Sequence, residues 1–280
     1  GLSIASALAW GLGYFGMPHI LLRFMAIEDR EKLKLSRRIA TTWVVISLAV
    51  AIVIGIVGYS VTKAGAIEPL TGSGSETIIV RLAGLLGENG FAVALLAGVV
   101  LAGILAATMS TSDSQLLAAS SSFSQNIIRD FLHINISEKT AMKLAKSTVL
   151  IIAIIAVIFA SDPNSSVFQI VSFAWAGFGA TFGPVMLLSL FWRRSNKNGA
   201  IAGMAVGAVM IFVWKYIVRP LGGAWDIYEL LPAFLIALAV NVIVSLASKP
   251  DPAVEQEYDD YKRSRLRWRL RGFHLLLSAA

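Results

Sequence analysis

Hydroxyl side chains are concentrated in one apolar stretch of the chain. Ala107, Ser110, Thr111 and Ser114 stand at positions i, i+3, i+4 and i+7, so they share one face of a helix. We call these four residues the hydroxyl strip. Hydroxyl and carbonyl oxygens are the neutral ligands that replace the water of a monovalent cation. The same groups could instead hydrogen-bond to neighbouring membrane helices. The strip therefore indicates either a cation site or a helix-packing seam.

Asp113 lies next to this strip and is the only acidic residue well inside a predicted apolar span. A carboxylate inside a membrane is costly and is therefore a candidate functional group. Together with Ser114 it could hold a second cation, or it could carry a proton. The alternative is that Asp113 lies near the cytoplasmic end of its span and pairs with a basic loop residue.

A second group of residues interrupts the first apolar span. Residues 10–19 contain three glycines and Pro18, which removes a backbone donor and disfavours helix at the residue before it. Unwound backbone at membrane depth must line a cavity or be buried by protein, and such breaks form substrate sites in secondary transporters. Trp10 and Tyr14, four residues apart, would form an aromatic wall beside the break. A proline-kinked helix with packing glycines is the alternative.

The composition requires a membrane environment for these elements. Hydrophobic residues make up 56% of the 280-residue chain, charged residues 15%, and the mean hydropathy is +0.72. We therefore predict an all-α integral membrane protein. The absence of cysteine excludes disulfides, cysteine zinc sites and thiol nucleophiles within this chain. No phosphate loop, Ser/His/Asp constellation or carboxylate pair indicates an enzyme, and the net charge of +7 is assigned to basic loops rather than to nucleic-acid binding.

Seven transmembrane helices are predicted, each near the length that crosses a bilayer: 2–22, 39–62, 91–121, 141–160, 166–192, 200–218 and 229–248. Alternate connecting segments carry 20 Lys and Arg residues against four in the other set. The positive-inside rule then places the N-terminal end outside and the C-terminal tail, 249–280, in the cytoplasm. Because Gly1 leads directly into apolar sequence, we expect a piece of a longer polypeptide.

Three further segments can each be interpreted in two ways. Residues 64–90 contain a short amphipathic helix that is either a lid or an interfacial loop helix. Gly183 and Pro184 indicate either a gating bend or a packing seam. Residues 266–280 are either a basic amphipathic helix on the inner leaflet or not native sequence.

Five groups of motifs together resemble the sodium/solute symporter family, in particular its proline-transporting members. They lie in order and with similar spacing over about residues 1–248: 10–26, 104–117, 174–184, 198–203 and 213–215. The resemblance implies a LeuT-like fold of two inverted five-helix repeats with additional helices. This chain would begin at the second repeat, and the N-terminal half of the same polypeptide, with part of both sites, would be missing.

The resemblance also implies a role for individual residues. Ala107, Ser110 and Thr111 would supply the sodium site, and Trp10, Tyr14 and Pro18 would line the proline pocket. Some members of the family have an uncharged residue where this chain has Asp113. The resemblance therefore leaves open whether Asp113 forms an additional cation site.

The predicted function is sodium-coupled proline uptake across the cytoplasmic membrane, by a transmembrane region, 1–248, followed by the cytoplasmic tail. A symporter for another small amino acid or carboxylate, and a membrane sensor built on a transporter-like domain, are the alternatives.

Overall fold

A computed structural model of the protein describes residues 1–29, 32–162 and 166–263. Over these ranges the chain is helical and contains no strand. The α-helices are α1 (Leu2–Gly13), α2 (Pro18–Met25), α3 (Lys32–Lys63), α4 (Ile78–Gly87), α5 (Phe91–Ser121), α6 (Glu138–Ala160), α7 (Val167–Phe191), α8 (Lys197–Val213), α9 (Leu230–Ala247) and α10 (252–263). The residues predicted as a basic helix, 266–280, lie outside the described ranges.

Six of the described helices are long and apolar enough to cross a membrane. They are α3, α5, α6, α7, α8 and α9, with α5 and α8 each extended by a π-helical segment, Ser122–Phe131 and Trp214–Val218. The first predicted span, 2–22, differs. It consists of α1, a turn and α2, and the 12 residues of α1 extend only about 18 Å. Its interruption lies where the glycines and Pro18 predict it.

The described chain divides into two compact units. The first contains residues 1–21 and the chain from Val171 onward, and its core is formed by small and aromatic residues of α1, α7, α8 and α9. Ala9, Ala176, Ala180, Ile211 and Phe234 are almost fully buried there. Small side chains let helix backbones approach closely, which is the usual basis of packing between membrane helices.

α7 runs without interruption through Pro184, which is buried. A Cβ atom on Gly183 would lie 2.6 Å from the Phe234 ring of α9. Gly183 therefore allows close contact between α7 and α9. This packing explains why a small residue stands at position 183, for which the sequence also allows a gating bend.

In the first unit, α10 packs at the C-terminal end of α7. Arg193 pairs with Asp259 at 3.0 Å and with Glu255 at 3.4 Å, and the Tyr258 hydroxyl donates to the carbonyl of Phe191 at 3.1 Å. These contacts attach α10 to the end of α7.

The second unit, residues 22–170, contains α3 to α6. Most apolar side chains of α3, α5 and α6 are exposed, as suits surfaces that face hydrocarbon. The segment predicted as an amphipathic helix forms a 3₁₀ turn, Gly72–Thr77, and α4.

Glu76 caps the start of α7, whose first residues, up to Ile170, belong to this second unit. Its carboxylate accepts hydrogen bonds from the Ser166 hydroxyl and from the backbone N–H groups of Val167 and Phe168. The hydrogen bond from Ser166 has the largest effect and lowers the pKa of Glu76. Desolvation opposes it in part, and the two backbone bonds lower the pKa further. A carboxylate at this position also complements the positive end of the helix dipole.

Candidate functional site

The aromatic residues predicted near the break form part of a larger array in the first unit. Trp10 lies parallel to Trp175 of α7, with ring centroids 5.5 Å apart and planes at 14°. Tyr14 meets the same Trp175 ring edge-on at 4.8 Å. On its other side Trp10 stacks on Tyr228, at 6.0 Å and 19°. We call Tyr14, Trp175, Trp10 and Tyr228 the aromatic array.

Glycines at the break determine how closely α1 and α7 approach. A Cβ atom on Gly13 would collide with the Trp175 indole, and one on Gly16 would collide with the Phe178 carbonyl. A Cβ on Gly179 would lie 2.7 Å from the Cα of Gly13. The indole Nε1–H of Trp175 donates to the backbone carbonyl of Trp10 at 2.9 Å. The unwound segment is therefore held directly against α7.

Tyr14 and Pro18 are the exposed members of the predicted substrate group. Tyr14 follows the last residue of α1 and has 48% of its surface exposed, while Pro18 is the first residue of α2. Trp10 is half-buried between its two ring neighbours. The three predicted residues thus lie along one continuous stretch, and Tyr14 gives the array an accessible end.

Two members of the array, Trp175 and Tyr228, were not predicted as site residues. Trp175 stands out in sequence only as a large ring among the glycines of α7, a pattern that indicates either a gating bend or a packing seam. Tyr228 precedes the last predicted span and has no sequence signal that links it to Trp10, which is 218 positions earlier. Only the fold brings these rings together.

A charge cluster borders the array at Tyr228. Arg219 contacts Asp226 and Glu229, each at 2.9 Å. Asp226 is 60% exposed, whereas the Glu229 side chain is 2% exposed. Burial raises the pKa of Tyr228, so its phenol stays protonated and can donate a hydrogen bond at neutral pH.

The hydroxyl strip lies in the second unit, on α5. Ala107, Ser110 and Thr111 are exposed, and Ser114 is half-buried. The Thr111 hydroxyl donates to the carbonyl of Ala107 at 3.2 Å, and the Ser114 hydroxyl donates to that of Ser110 at 3.0 Å. A hydroxyl that donates its hydrogen keeps two lone pairs, so both oxygens can still accept a cation.

Thr108 and Ser112 make the same kind of bond on the other side of α5. Their hydroxyls donate to the carbonyls of Ile104 and Thr108, at 2.9 and 3.0 Å. This backbone bonding is a local property of Ser and Thr in helices. It therefore does not separate a cation site from a packing seam.

Asp113 is exposed on α5 and, over the described ranges, forms no ion pair. The pairing with a basic loop residue that the sequence left open is thus not seen among these residues. The same ranges contain no group of three or more His, Cys, Asp and Glu side chains that could hold a metal. The oxygens of α5 would suit a monovalent ion rather than a transition metal.

The two predicted sites belong to different compact units. Trp10, Tyr14 and Pro18 lie in the first unit, and the hydroxyl strip with Asp113 lies in the second.

Comparison with known proteins agrees with the motifs. The profile of the sodium:solute symporter family matches residues 2–207. The sodium/proline symporter of Haemophilus influenzae is 44% identical over 265 residues, which are 94% of this chain and 52% of that protein. The osmoregulated proline transporter OpuE of Bacillus subtilis is 38% identical over 89% of this chain and 48% of its own length.

The sodium/proline symporter of Escherichia coli is likewise 38% identical, over 91% of this chain and 49% of that protein. The chain spans about half the length of the curated relatives it matches. No solved structure matches it significantly. The family match covers well over half of the chain and includes both the broken first span and the hydroxyl strip. The chain therefore belongs to the sodium:solute symporter family.

Proposed function

We propose that a full-length transporter containing this chain couples sodium influx to proline uptake across the cytoplasmic membrane. The observation that carries the proposal is the identity to several sodium/proline symporters over about nine tenths of the chain. The helix break with its aromatic residues and the hydroxyl strip lie inside the matched region and have the chemistry that this function needs.

For the coupling ion, the proposed ligands are the backbone oxygen of Ala107 and the hydroxyls of Ser110 and Thr111. The Ser110 hydroxyl makes no hydrogen bond among the described residues, and Thr111 retains its lone pairs. Neutral ligands suit an ion that must leave again in each cycle. Asp113 and Ser114, one helical turn further on, are the proposed ligands of a second cation.

The proposed substrate contacts are Trp10, Tyr14 and Pro18. Proline has an apolar ring and a charged secondary amine, and an accessible aromatic ring face attracts both apolar and cationic groups. Trp175 and Tyr228 cover the two faces of Trp10, so Trp10 would contact the substrate with its ring edge. Tyr14 offers an accessible ring at the end of the aromatic array. The unwound backbone from Tyr14 to Met17 adds polar groups that a continuous helix would not offer.

The proposed architecture joins α1 and α2 into one broken crossing, which with α3, α5, α6, α7, α8 and α9 gives seven. It corresponds to the second half of a LeuT-like inverted-repeat transporter, with 1–248 in the membrane and 249–280 in the cytoplasm. The remaining ligands of both sites would come from the other half of the full-length polypeptide.

Coupling would arise from the preference of each ligand for a particular conformation. Sodium on the hydroxyl strip would favour an outward-open state, and proline beside Trp10 would then allow closure and inward opening. Each ligand must raise the affinity for the other by the same factor, because linkage between binding equilibria is reciprocal.

The test is uptake of radiolabelled proline into proteoliposomes that contain the full-length transporter, with and without an inward sodium gradient. Ser110→Ala and Thr111→Ala should each raise the half-saturating sodium concentration roughly tenfold, the equivalent of one lost ligand.

Thr108→Ala and Ser112→Ala are matched controls, because they delete a Thr and a Ser hydroxyl from another side of α5, where both are bonded to the backbone as the Thr111 hydroxyl is. A sodium dependence that is unchanged in Ser110→Ala and Thr111→Ala, or changed equally in the controls, would contradict the ion site.

A panel of unlabelled competitors separates proline from other substrates. Competition by another small amino acid or a carboxylate at lower concentration than proline would favour the alternative symporter. Specific binding without sodium-dependent accumulation of any solute would favour the sensor.

A further inference from the structure

Tyr228 connects three helices of the first unit although it belongs to none of them. It lies two residues before α9, and only 9% of its surface is exposed. Its phenol ring covers the face of Trp10 opposite to Trp175, so that Trp10 lies between two nearly parallel rings. Stacked aromatic pairs stabilise one ring orientation beyond the effect of their buried area. Trp10 can therefore change its rotamer only if Tyr228 or Trp175 moves.

Two hydrogen bonds fix the position of Tyr228 itself. The phenol hydroxyl donates to the backbone carbonyl of Ser172 in α7 at 2.6 Å. The backbone N–H of Tyr228 donates to the hydroxyl of Ser6 in α1 at 3.1 Å. The residue is thus tied both to the helix that carries Trp10 and to the helix that carries Trp175.

The next residue, Glu229, prevents this segment from moving freely. Its buried carboxylate is paired with Arg219, which also holds Asp226. Leaving a buried carboxylate without its partner is costly, so the pair keeps the chain at residue 229 in place. The Arg219–Glu229 pair therefore links the two ends of segment 219–229, and the Tyr228 ring of this segment stacks on Trp10.

We infer that Tyr228 is a positioning residue of the substrate site, which sets the orientation of Trp10 and thereby the affinity for substrate. This inference rests on the proposed function, because it takes Trp10 as a substrate contact. Tyr228 is too buried to be a contact itself, and it acts through the ring that it supports.

Tyr228→Phe tests the inference with the smallest change, because it retains the ring and removes the bond to the Ser172 carbonyl. In the full-length transporter we expect the KM for proline to rise roughly fivefold, as for loss of one hydrogen bond, with Vmax within about twofold of the unsubstituted protein. The half-saturating sodium concentration, measured at saturating proline, should stay unchanged. Tyr228→Leu removes the ring and should raise the KM further.

Tyr216→Phe is the matched control. Tyr216 lies in the same region of the chain, is 62% exposed, and stacks on Phe212 rather than on the array. Its substitution should leave the KM for proline unchanged. Ser6→Ala is a milder second variant that removes the acceptor of the Tyr228 N–H, and it should raise the KM in the same direction.

The outcomes separate this inference from the proposed function. Absence of sodium-dependent proline uptake by the inserted, unsubstituted transporter would overturn both. Normal uptake with an unchanged KM in Tyr228→Phe would overturn only the positioning role. A fall in Vmax at constant KM would also overturn it, since this pattern indicates a general loss of active protein. If Tyr228→Phe does not insert, an unchanged KM in Ser6→Ala overturns the role and a raised KM supports it.

Discussion

Arg219 shows how burial, rather than distance, determines the strength of an ion pair. Its guanidinium lies 2.9 Å from an oxygen of Asp226 and 2.9 Å from an oxygen of Glu229. The first carboxylate is mostly exposed and is screened by water, whereas the second is 2% exposed. Exposed pairs contribute little to stability, and a buried carboxylate that loses its partner is strongly unfavourable.

We therefore expect Arg219→Met to destabilise the protein by about 2–3 kcal/mol, because it leaves Glu229 buried and unpaired. Asp226→Asn should change stability by less than about 1 kcal/mol. Thermal unfolding of the full-length transporter in detergent measures both.

The double variant Arg219→Met/Glu229→Gln is the internal control, since removal of the buried charge should restore much of the lost stability. Equal effects of Arg219→Met and Asp226→Asn, or no recovery in the double variant, would contradict this explanation.

Single residues of the candidate site can be predicted from sequence where the membrane makes their presence costly. Trp10, Tyr14 and Pro18 surround a helix break, and the hydroxyl strip follows helical spacing, so both patterns are local. Trp175 and Tyr228 both stack on Trp10, which is far from them in sequence. Residue type and spacing contain no information on such contacts without a three-dimensional structure.

At the scale of helices, the contact of α1 with α7 depends on glycines that face the partner helix. Gly13 faces the Trp175 indole, where a Cβ atom would collide, while nothing lies within 4 Å of a Cβ on Gly11. Two glycines in one helix therefore have different roles. One permits close approach, and the other only lowers the helix propensity.

Gly13→Ala should destabilise the full-length transporter by about 1–3 kcal/mol, because the added methyl group overpacks the contact with Trp175. It should also raise the KM for proline, since the methyl displaces a ring of the aromatic array. Gly11→Ala is the matched control and should be neutral or slightly stabilising. Thermal unfolding and proline uptake provide the two readouts, and equal behaviour of the two variants would show that this contact is not decisive.

Helix positions were predicted well where length and hydropathy determine them. The last six predicted spans correspond to α3, α5, α6, α7, α8 and α9, with ends shifted by up to seven residues at the polar start of α3. Residues 2–22 form α1, a turn and α2, which is the interrupted span that the glycines and Pro18 predict. Hydropathy alone does not distinguish a continuous span from an interrupted one, because the break changes the backbone conformation without changing the apolar character of the residues.

At the scale of the whole molecule, six apolar helices and the family assignment indicate a multi-pass membrane protein. The distribution of Lys and Arg predicts which connecting segments share a side of the membrane. The chain has no cysteine, so single introduced cysteines can be labelled without background from these residues.

Ser36→Cys and Lys262→Cys should be labelled from the cytoplasmic side, and Thr71→Cys from the outside. The measurement is labelling by a membrane-impermeant maleimide in intact cells and in inside-out vesicles. Permeabilised membranes are the control, in which all three must react. Labelling of Ser36→Cys and Thr71→Cys from the same side would overturn the predicted orientation.

The division into two compact units could not be predicted from hydropathy, because the first unit combines two segments that are far apart in sequence. Residues 1–21 pack with the chain after residue 171, and the intervening residues form the second unit. The predicted boundary after residue 248 is based on a change to polar composition. Such a change indicates where the chain is exposed to water, and not which helices pack together in one unit.

The parallel arrangement of Trp10 and Trp175 has an optical consequence. Two indoles stacked at 5.5 Å couple their electronic transitions, so the pair should give a circular dichroism band of its own in the near ultraviolet. Proline does not absorb in that region. A solute that tilts or parts the two indoles would change the sign or intensity of this band, so the natural tryptophans would report occupancy of the proposed substrate site without a label.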